Sequence, residues 1–172
     1  LYERLQRAEL RSRLKLEAAE AKYHSIFDNA AEGIFQSTPD GRYLTANPAL
    51  AKIYGYSSPE DVIAHFNDIE RQLYVDPNRR PEFVRLMEEN DELSDFESQI
   101  YRADGSIVWI SEKAKTLRDA NGKILYYEGL IEDITERKQA EEALRVFIHA
   151  VSHDLRNPVT GTLLVLKNLQ SQ

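Results

Sequence analysis

The spacing of hydrophobic and polar residues changes twice along this chain of 172 residues. From residue 1 to about residue 27, apolar or small residues recur every three or four positions without glycine or proline, which predicts a long helix. From Glu32 onward, short alternating segments separated by turn residues predict β-strands. After Ile134 the helical spacing returns, and Pro158 is the breaker in the segment that follows.

The N-terminal pattern forms a weak seam like that of a coiled coil. Its steps are three or four residues, and two four-residue steps meet at Ser12, a stutter that locally unwinds a coiled coil. A lone helix of this kind is marginal in water, so it needs a partner. That partner is either its own domain or a second chain. The seam comprises Leu1, Leu5, Ala8, Ser12, Leu16, Ala19, Tyr23 and Ile26.

The central pattern predicts a five-stranded antiparallel sheet, with two strands before a helical region and three after it. The segments GIFQS and RYLTA flank the turn Asp40-Gly41. Three longer segments, DFESQIYR, SIVWISEKAKTL and KILYYEGLIEDI, are joined through Asp104-Gly105 and Asn121-Gly122, which are dipeptides typical of hairpins. The predicted fold class is α+β.

Short helices are predicted between the second and third strands. Asn47-Pro48 and Ser58-Pro59 each place a capping side chain before a proline at the first helical position. A further helical stretch follows Asp76-Pro77 and Arg80-Pro81. Its apolar face comprises Phe83, Val84, Leu86 and Met87.

The last two strands carry apolar residues on both faces. In one of them, Ile107 and Trp109 alternate with Val108 and Ile110. Because a sheet with one solvated face alternates apolar and polar residues, we expect both faces to be covered. The short helices would cover one face, and the N-terminal helix or a second subunit would cover the other.

Composition narrows the classes of function. The chain has no cysteine, which excludes disulfides, thiolate metal sites and cysteine nucleophiles, and we expect no metal site. The net charge of −7 disfavours binding to nucleic acid. Apolar runs fall short of the roughly 20 residues that cross a bilayer, and the start of the chain is not a signal peptide. These features favour a cytoplasmic location.

The ends of the chain indicate an excerpt of a longer protein. Its only methionine is Met87, and both ends lie within helical patterns. Residues 1–15 hold five basic and two acidic side chains, which suits a segment just inside a membrane. A membrane anchor in the parent protein, upstream of residue 1, is compatible with this pattern.

Two segments of the central region resemble the PAS family. They read FDNAAEGIFQSTPDGRYLTANPALAKIYGYSSPEDVI and RADGSIVWISEKAKTLRDANGKILYYEGLIEDITERK. The resemblance covers residues about 23 to 135 and implies the PAS fold, with short helices on one face of the sheet. The run Asp133-Ile134-Thr135 is similar to the family's exit motif from the last strand into a signalling helix, which implies that Asp133 and Thr135 relay the signal.

Residues about 140 to 169 resemble the first helix of the dimerisation and phosphotransfer domain of sensor histidine kinases. That motif is a histidine, an acidic residue, two further residues, threonine or asparagine, and proline, and here it reads HDLRNP at residues 153–158. We therefore expect an N-terminal signalling helix at 1–22, a PAS sensor domain at 23–135, and a linker with a truncated phosphotransfer helix at 136–172. Both long helices are expected to be of coiled-coil type.

The spacing of the C-terminal helix predicts that His153 faces solvent. The C-terminal helix has an apolar seam of its own, apart from one polar position, at Leu144, Ile148, Val151, Leu155, Pro158, Thr162 and Val165. His153 lies two residues from both Val151 and Leu155, and two helical residues are about 200° of rotation. A neutral imidazole is nucleophilic near neutral pH. The kinase resemblance implies that His153 accepts a phosphoryl group.

The same resemblance implies roles for two neighbours of His153. Asp154 would act as general base and orient the imidazole. Asn157, one turn along the helix, would position a water that hydrolyses the partner's aspartyl phosphate. His24, His65 and His149 are assigned no role, because a lone histidine on a helix is usually a solvated residue.

The ligand of the PAS part is not identified from the sequence. PAS domains hold haem, flavin, small metabolites or nothing. The chain has no cysteine for a flavin adduct, and no histidine lies in the helix at about 81–90, where haem-binding relatives carry one. Residues Tyr54, Phe83, Leu86 and Met87 are candidates for lining a pocket, although their spacing is also that of an ordinary core.

Together, the resemblances imply the sensory and phosphoacceptor fragment of a two-component sensor histidine kinase. PAS input would change coiled-coil geometry and control phosphorylation of His153. The parent would be a histidine protein kinase using ATP and Mg²⁺, and this fragment, which lacks the ATP-binding domain, should be inactive alone. Expected partners are a second copy in a parallel homodimer, a response regulator receiver domain and the missing ATP-binding domain. The alternative is a PAS dimerisation or ligand-binding module linked to a non-kinase output.

Overall fold

The computed structural model describes residues 2–169, except for the side chains of residue 3 and residues 154–169. The chain forms two compact units, of which the first ends at Asp133 and the second begins at Ile134. The elements in chain order are α1 (Tyr2–Asn29), β1 (Gly33–Ser37), β2 (Tyr43–Ala46), α2 (Pro48–Tyr54), α3 (Pro59–His65), α4 (Ile69–Gln72), α5 (Arg79–Asn90), β3 (Glu92–Tyr101), β4 (Ile107–Arg118), β5 (Ile124–Asp133) and α6 (Thr135–Leu169).

The five strands form one antiparallel sheet in the order β2-β1-β5-β4-β3. The last strand, β5, lies in the middle and pairs with β1 on one side and β4 on the other. The four helices α2–α5 are inserted between β2 and β3 and cover one face, which is called the inner face below. The predicted α+β fold, with a long helix before the sheet and another after it, is confirmed.

The core lies between the inner face and α2–α5. Large side chains fill it, and burying each one relative to leaving it exposed contributes about 1.5–3 kcal/mol. Aromatic rings meet edge to face, as Phe83 does with Phe96 and Tyr127 at centroid distances of 5.9 and 5.3 Å. The fully buried large side chains include Phe35, Leu50, Tyr54, Phe66, Ile69, Leu73, Phe83, Met87, Ile100, Ile110, Tyr127 and Ile131.

The predicted cap Asn47 begins α2 and also links three segments of the chain through hydrogen bonds. Its side-chain oxygen accepts hydrogen bonds from the backbone N–H groups of Leu50 and Ile34, at 3.0 and 2.8 Å. Its amide nitrogen donates to the carbonyl oxygens of Phe27 and Glu32, each at 3.0 Å. This buried side chain therefore ties the end of α1 to β1 and to the start of α2.

Gly129 allows β4 and β5 to approach closely at the centre of the sheet. It lies opposite Ala114 on β4 and Phe35 on β1. A β-carbon at this position would overlap the carbonyl oxygen of Lys113. Glycine is therefore required here for lack of space, since its backbone conformation is an ordinary one.

The structure departs from the sequence-based expectation in two elements. Strand β3 begins at Glu92, three residues before the predicted start, because an irregularity between Leu93 and Phe96 lets the strand continue past Asp95, which has a φ of 55°. The helix α4 was not predicted, because four residues are too few to show a helical period.

Cover of the two sheet faces is unequal. The inner face is covered as expected, but on the outer face Ile107 and Leu117 of β4 remain exposed. Residues of α1 lie over only part of the outer face, beside β1, β3, β4 and β5. Among the described residues, the expectation that both faces are covered is therefore met on the inner face and only in part on the outer face.

Candidate functional site

Helix α6 carries the predicted phosphoacceptor residue. His153 lies within this helix, and its side chain is exposed. Three residues of the apolar seam, Leu144, Ile148 and Val151, are exposed to 59%, 55% and 40%. The same helix thus presents both an imidazole and large apolar side chains at its surface.

The two predicted neighbours of His153 are Asp154 and Asn157. Helix α6 runs through Asp154 and Asn157, but their side chains lie outside the described part of the structure. The general-base role of Asp154 and the water-positioning role of Asn157 therefore stay predictions of the resemblance.

The two predicted relay residues lie where β5 gives way to α6 in the chain. Asp133 is the last residue of β5 and pairs with Ile110 of β4. Thr135 is the first residue of α6. The chain therefore passes from the central strand of the sheet into the helix of His153 within two residues.

The four pocket candidates are part of the core. Tyr54, Phe83 and Met87 are fully buried, and Leu86 is partly buried against the same cluster. The Phe83 ring is in contact with other aromatic rings, as described above. These residues pack against the inner face of the sheet and fill the core there.

A groove of about 530 Å³ lies on the other face of the sheet. Its apolar lining comes from the end of α1 and from the outer side of the strands, and none of the four pocket candidates contributes to it. The principal apolar side chains are Tyr23, Ile26, Phe27, Ile34, Leu93 and Leu130.

A cluster of buried phenols and one carboxyl group lies among the apolar side chains of the core. The hydroxyls of Tyr43 and Tyr54 are 2.8 Å apart and share a hydrogen bond. The hydroxyl of Tyr74 donates to the carboxylate of Glu112 at 3.2 Å. Burial raises the pKa of each of the three phenols and raises the pKa of Glu112 from its ordinary value of 4.5 to about 7.

Arg80 is the cation whose charge acts most strongly on Glu112 in this cluster. Its guanidinium is buried, lies over the rings of Phe83 and Tyr127 at 4.8 and 5.6 Å, and donates to the Thr38 carbonyl oxygen at 3.1 Å. Its Nε and the hydroxyl of Ser37 have no hydrogen-bond partner among the described residues. The positive charge of Arg80 opposes part of the rise in the pKa of Glu112.

Sequence reasoning missed Glu112 and Arg80. The available signal was the alternation of β4, in which Glu112 falls on the same face as Val108, Ile110 and Ala114. A carboxylate in a row of apolar inward positions indicates a buried charge, and buried charges cluster at functional sites.

The described helices include none with the length and apolar character that a membrane span requires.

Curated relatives of this chain are sensor kinases, and it aligns with part of each. It is 27% identical over 137 residues to the sensor histidine kinase TmoS of Ectopseudomonas mendocina, covering 77% of this chain and 14% of that protein. It is 31% identical over 146 residues to the sensor protein kinase WalK of Staphylococcus epidermidis, covering 84% and 22%. It is 25% identical over 165 residues to sporulation kinase C of Bacillus subtilis, covering 86% and 38%.

Solved structures share the fold. A PAS domain from Colwellia psychrerythraea matches with a TM-score of 0.58 and 21% identity, over 69% of this chain and 98% of that one. A sensory box histidine kinase/response regulator from Burkholderia thailandensis matches with the same TM-score and identity, over 77% and 98%.

The family model described as PAS domain matches residues 31–136, which include all five strands and the helices between them. This match agrees with the observed strand order, with the inserted helices and with the similarity to sensor kinases. The chain belongs to the PAS domain family, and its PAS domain is homologous to those of sensor histidine kinases.

Proposed function

We propose that this chain is the sensory and phosphoacceptor part of a two-component sensor histidine kinase. Its PAS domain receives a signal and controls phosphorylation of His153 on α6. The whole protein is then an ATP-dependent histidine protein kinase, of which this chain is a part that is inactive alone. The chain spans between 14% and 38% of the length of the three kinases compared above.

The observation that carries the proposal is the HDLRNP sequence at residues 153–158, on a helix that follows a PAS domain directly. Its histidine is exposed, as a group must be that meets a nucleotide and then a partner protein. A helix that served only as a coiled-coil linker would not require the HDLRNP sequence.

The proposed reaction is a phosphoryl transfer in two steps. A neutral nitrogen of the His153 imidazole attacks the γ-phosphorus of ATP, so that an N–P bond forms and the bond to the leaving ADP oxygen breaks. The proton on the other ring nitrogen is stabilised or accepted by the Asp154 carboxylate. The phosphoryl group then passes to an aspartate carboxylate of the receiver domain, and His153 is regenerated. Asn157 orients a water that later hydrolyses the aspartyl phosphate.

The proposed relay runs through the last strand. β5 is hydrogen-bonded to both β1 and β4, so a change in the packing of the core reaches it from two sides. Asp133 ends this strand and Thr135 begins α6. A shift at these two residues changes the direction or register of the helix that carries His153.

A parallel homodimer is proposed through the two long helices. Both helices carry exposed large apolar residues, among them Leu5 and Leu16 of α1 and Leu144 and Ile148 of α6. Isolated amphipathic helices gain most of their stability from packing such a face. Sedimentation of this chain as a clean monomer at high micromolar concentration would argue against the dimer.

The proposed partners are the ATP-binding domain of the same protein and the receiver domain of a response regulator. Both meet the exposed side of α6 at His153. Because a cytoplasmic domain has access to ATP, the proposal includes a cytoplasmic location for this chain.

The test is phosphate labelling of the longer protein with ATP, comparing the wild type with His153→Gln. His149→Gln is the matched control, because His149 is an exposed histidine four residues earlier on the same helix. Acid-labile label should be lost in His153→Gln and kept in His149→Gln. Undiminished label in His153→Gln would overturn the proposal and would favour a PAS module with a non-kinase output.

A further inference from the structure

Glu112 occupies an unusual position for a charged residue. It lies in the middle of β4, paired with Phe96 of β3 and Ile131 of β5, and its side chain points to the inner face. Only 3% of its surface is exposed. A carboxylate in such surroundings loses its hydration and must find compensation within the protein.

The protein compensates this carboxylate only partly. The Tyr74 hydroxyl is the one hydrogen-bond donor to Glu112 among the described residues, and none of their basic side chains pairs with it within 4 Å. The titratable or charged groups that act on Glu112, Tyr74 included, come from several packed elements. They are Tyr43 of β2, Tyr54 of α2, Tyr74 after α4, and Arg79 and Arg80 of α5.

The two arginines are engaged elsewhere. Arg79 pairs with Glu82 and donates to Ser98 and the Glu97 carbonyl. Arg80 is held by the Thr38 carbonyl and by aromatic rings, with its Nε unpaired. The enclosure therefore favours the neutral carboxyl, and burial raises the pKa of Glu112 to about 7.

We propose that the proton is a ligand of this PAS domain, and that the Glu112 carboxyl binds it inside the core. This inference deepens the proposed sensory function by naming a signal, the proton concentration around the protein. Binding neutralises the carboxylate; release leaves a negative charge in the core.

Release of the proton acts on two structures. The new charge attracts the Arg80 guanidinium, which joins α5 to the turn after β1 through the Thr38 carbonyl. Glu112 is also two residues from Ile110, which pairs with Asp133 at the end of β5. The proton thus alters contacts of α5 and of the strand that leads to α6.

The test is a titration of this chain labelled with ¹³C at glutamate carboxyl carbons, followed by NMR. One resonance should titrate near pH 7 and be absent from Glu112→Gln. The backbone amides of Thr38 and Asp133 should shift with the same midpoint in the wild type and lose that transition in Glu112→Gln. The control is Glu128→Gln, since Glu128 is exposed and bonded to Gln36 at 3.3 Å; this variant should keep the transition.

Two outcomes would overturn the proposal. One is titration of Glu112 in the ordinary glutamate range, and the other is titration near pH 7 that leaves the amides of Thr38 and Asp133 unmoved.

Two further variants keep the test decisive if Glu112→Gln does not fold. Arg80→Met removes the cation and Tyr74→Phe removes the hydrogen-bond donor, and each change should raise the midpoint of Glu112, with the larger rise for Arg80→Met. An unchanged or lowered midpoint in both variants contradicts the proposal. None of these measurements needs phosphorylation, so a failure of the kinase proposal and a failure of proton binding are told apart.

Discussion

The PAS unit buries large apolar and charged side chains, whereas helix α6 exposes similar ones. Phe83 in the PAS unit is fully buried, whereas Phe147 on α6 is 65% exposed. Glu112 is enclosed by phenols and apolar side chains, whereas His153 lies at the surface. Under the proposed function, this difference matches two requirements: a group that senses from within the core must be enclosed, and a histidine that accepts a phosphoryl group must be accessible. The PAS unit has a buried core of its own, whereas α6 exposes large apolar side chains, among them Phe147.

The largest expected effect comes from the same substitution made in each region. Phe83→Ala should lower the free energy of unfolding by about 4 kcal/mol, because it leaves a cavity among buried rings. Phe147→Ala should change it by less than about 0.5 kcal/mol, because the ring is largely exposed in this chain. Urea unfolding followed by circular dichroism measures both. A loss in Phe147→Ala comparable to that in Phe83→Ala would erase the difference between the two regions.

The pH dependence of stability tests the enclosure of Glu112. Its pKa is about 7 in the folded protein, above the ordinary value of 4.5 expected for the unfolded chain, so the folded state holds the proton more tightly. The stability that this group contributes is complete below about pH 4.5 and is lost as pH rises through 7. The loss is on the order of 3 kcal/mol.

Glu112→Gln isolates this effect from the other carboxylates. Urea unfolding from pH 4.5 to 8 should show a wild-type free energy that falls relative to that of the variant. Parallel curves for the two proteins would mean that Glu112 is ordinary in its ionisation.

The next effect concerns Asn47, whose side chain makes four hydrogen bonds within the PAS unit. Asn47→Ala should lower the free energy of unfolding by about 2 kcal/mol, because it leaves buried backbone groups without partners. Ser58→Ala removes a cap that is only half-buried and accepts one hydrogen bond, from the Asp61 N–H, and this variant should lose about 1 kcal/mol. Thermal unfolding ranks the two, and equal losses would show that burial of the cap is unimportant.

The smallest effect is expected on α6. Arg145 pairs with Glu142 at 2.8 Å, and both side chains are largely exposed. Arg145→Ala should leave the free energy of unfolding unchanged within experimental error, since water and salt screen such a pair. A measurable loss of stability in urea unfolding would indicate that α6 stabilises the fold more than its exposure implies.

Local signals in the sequence were sufficient for much of the fold. The strand GIFQS coincides with β1, and Asn47 and Ser58 cap α2 and α3 as predicted. These features depend on residues adjacent in the chain. The early start of β3 escaped prediction because Asp95, whose φ is positive, lies at an irregularity in the pairing with β4, and local sequence patterns do not show such irregularities.

The polar site in the core could not be assembled from the sequence in the same way. Glu112 meets Tyr74 from 38 residues away, and neither lies in a motif. Arg80 was visible only as the residue before Pro81, and its burial depends on the rings of Phe83 and Tyr127. By contrast, the HDLRNP sequence at residues 153–158 is continuous, so His153 was accessible to sequence reasoning alone.

The most direct measurement of the central claim is the location of the phosphoryl group. The longer protein would be incubated with ATP, digested under alkaline conditions that preserve phosphohistidine, and mapped by mass spectrometry. The account predicts one phosphorylated peptide containing residues 153–158, with the phosphoryl group on His153. A phosphoryl group found on another residue, with the peptide of His153 unmodified, would contradict it.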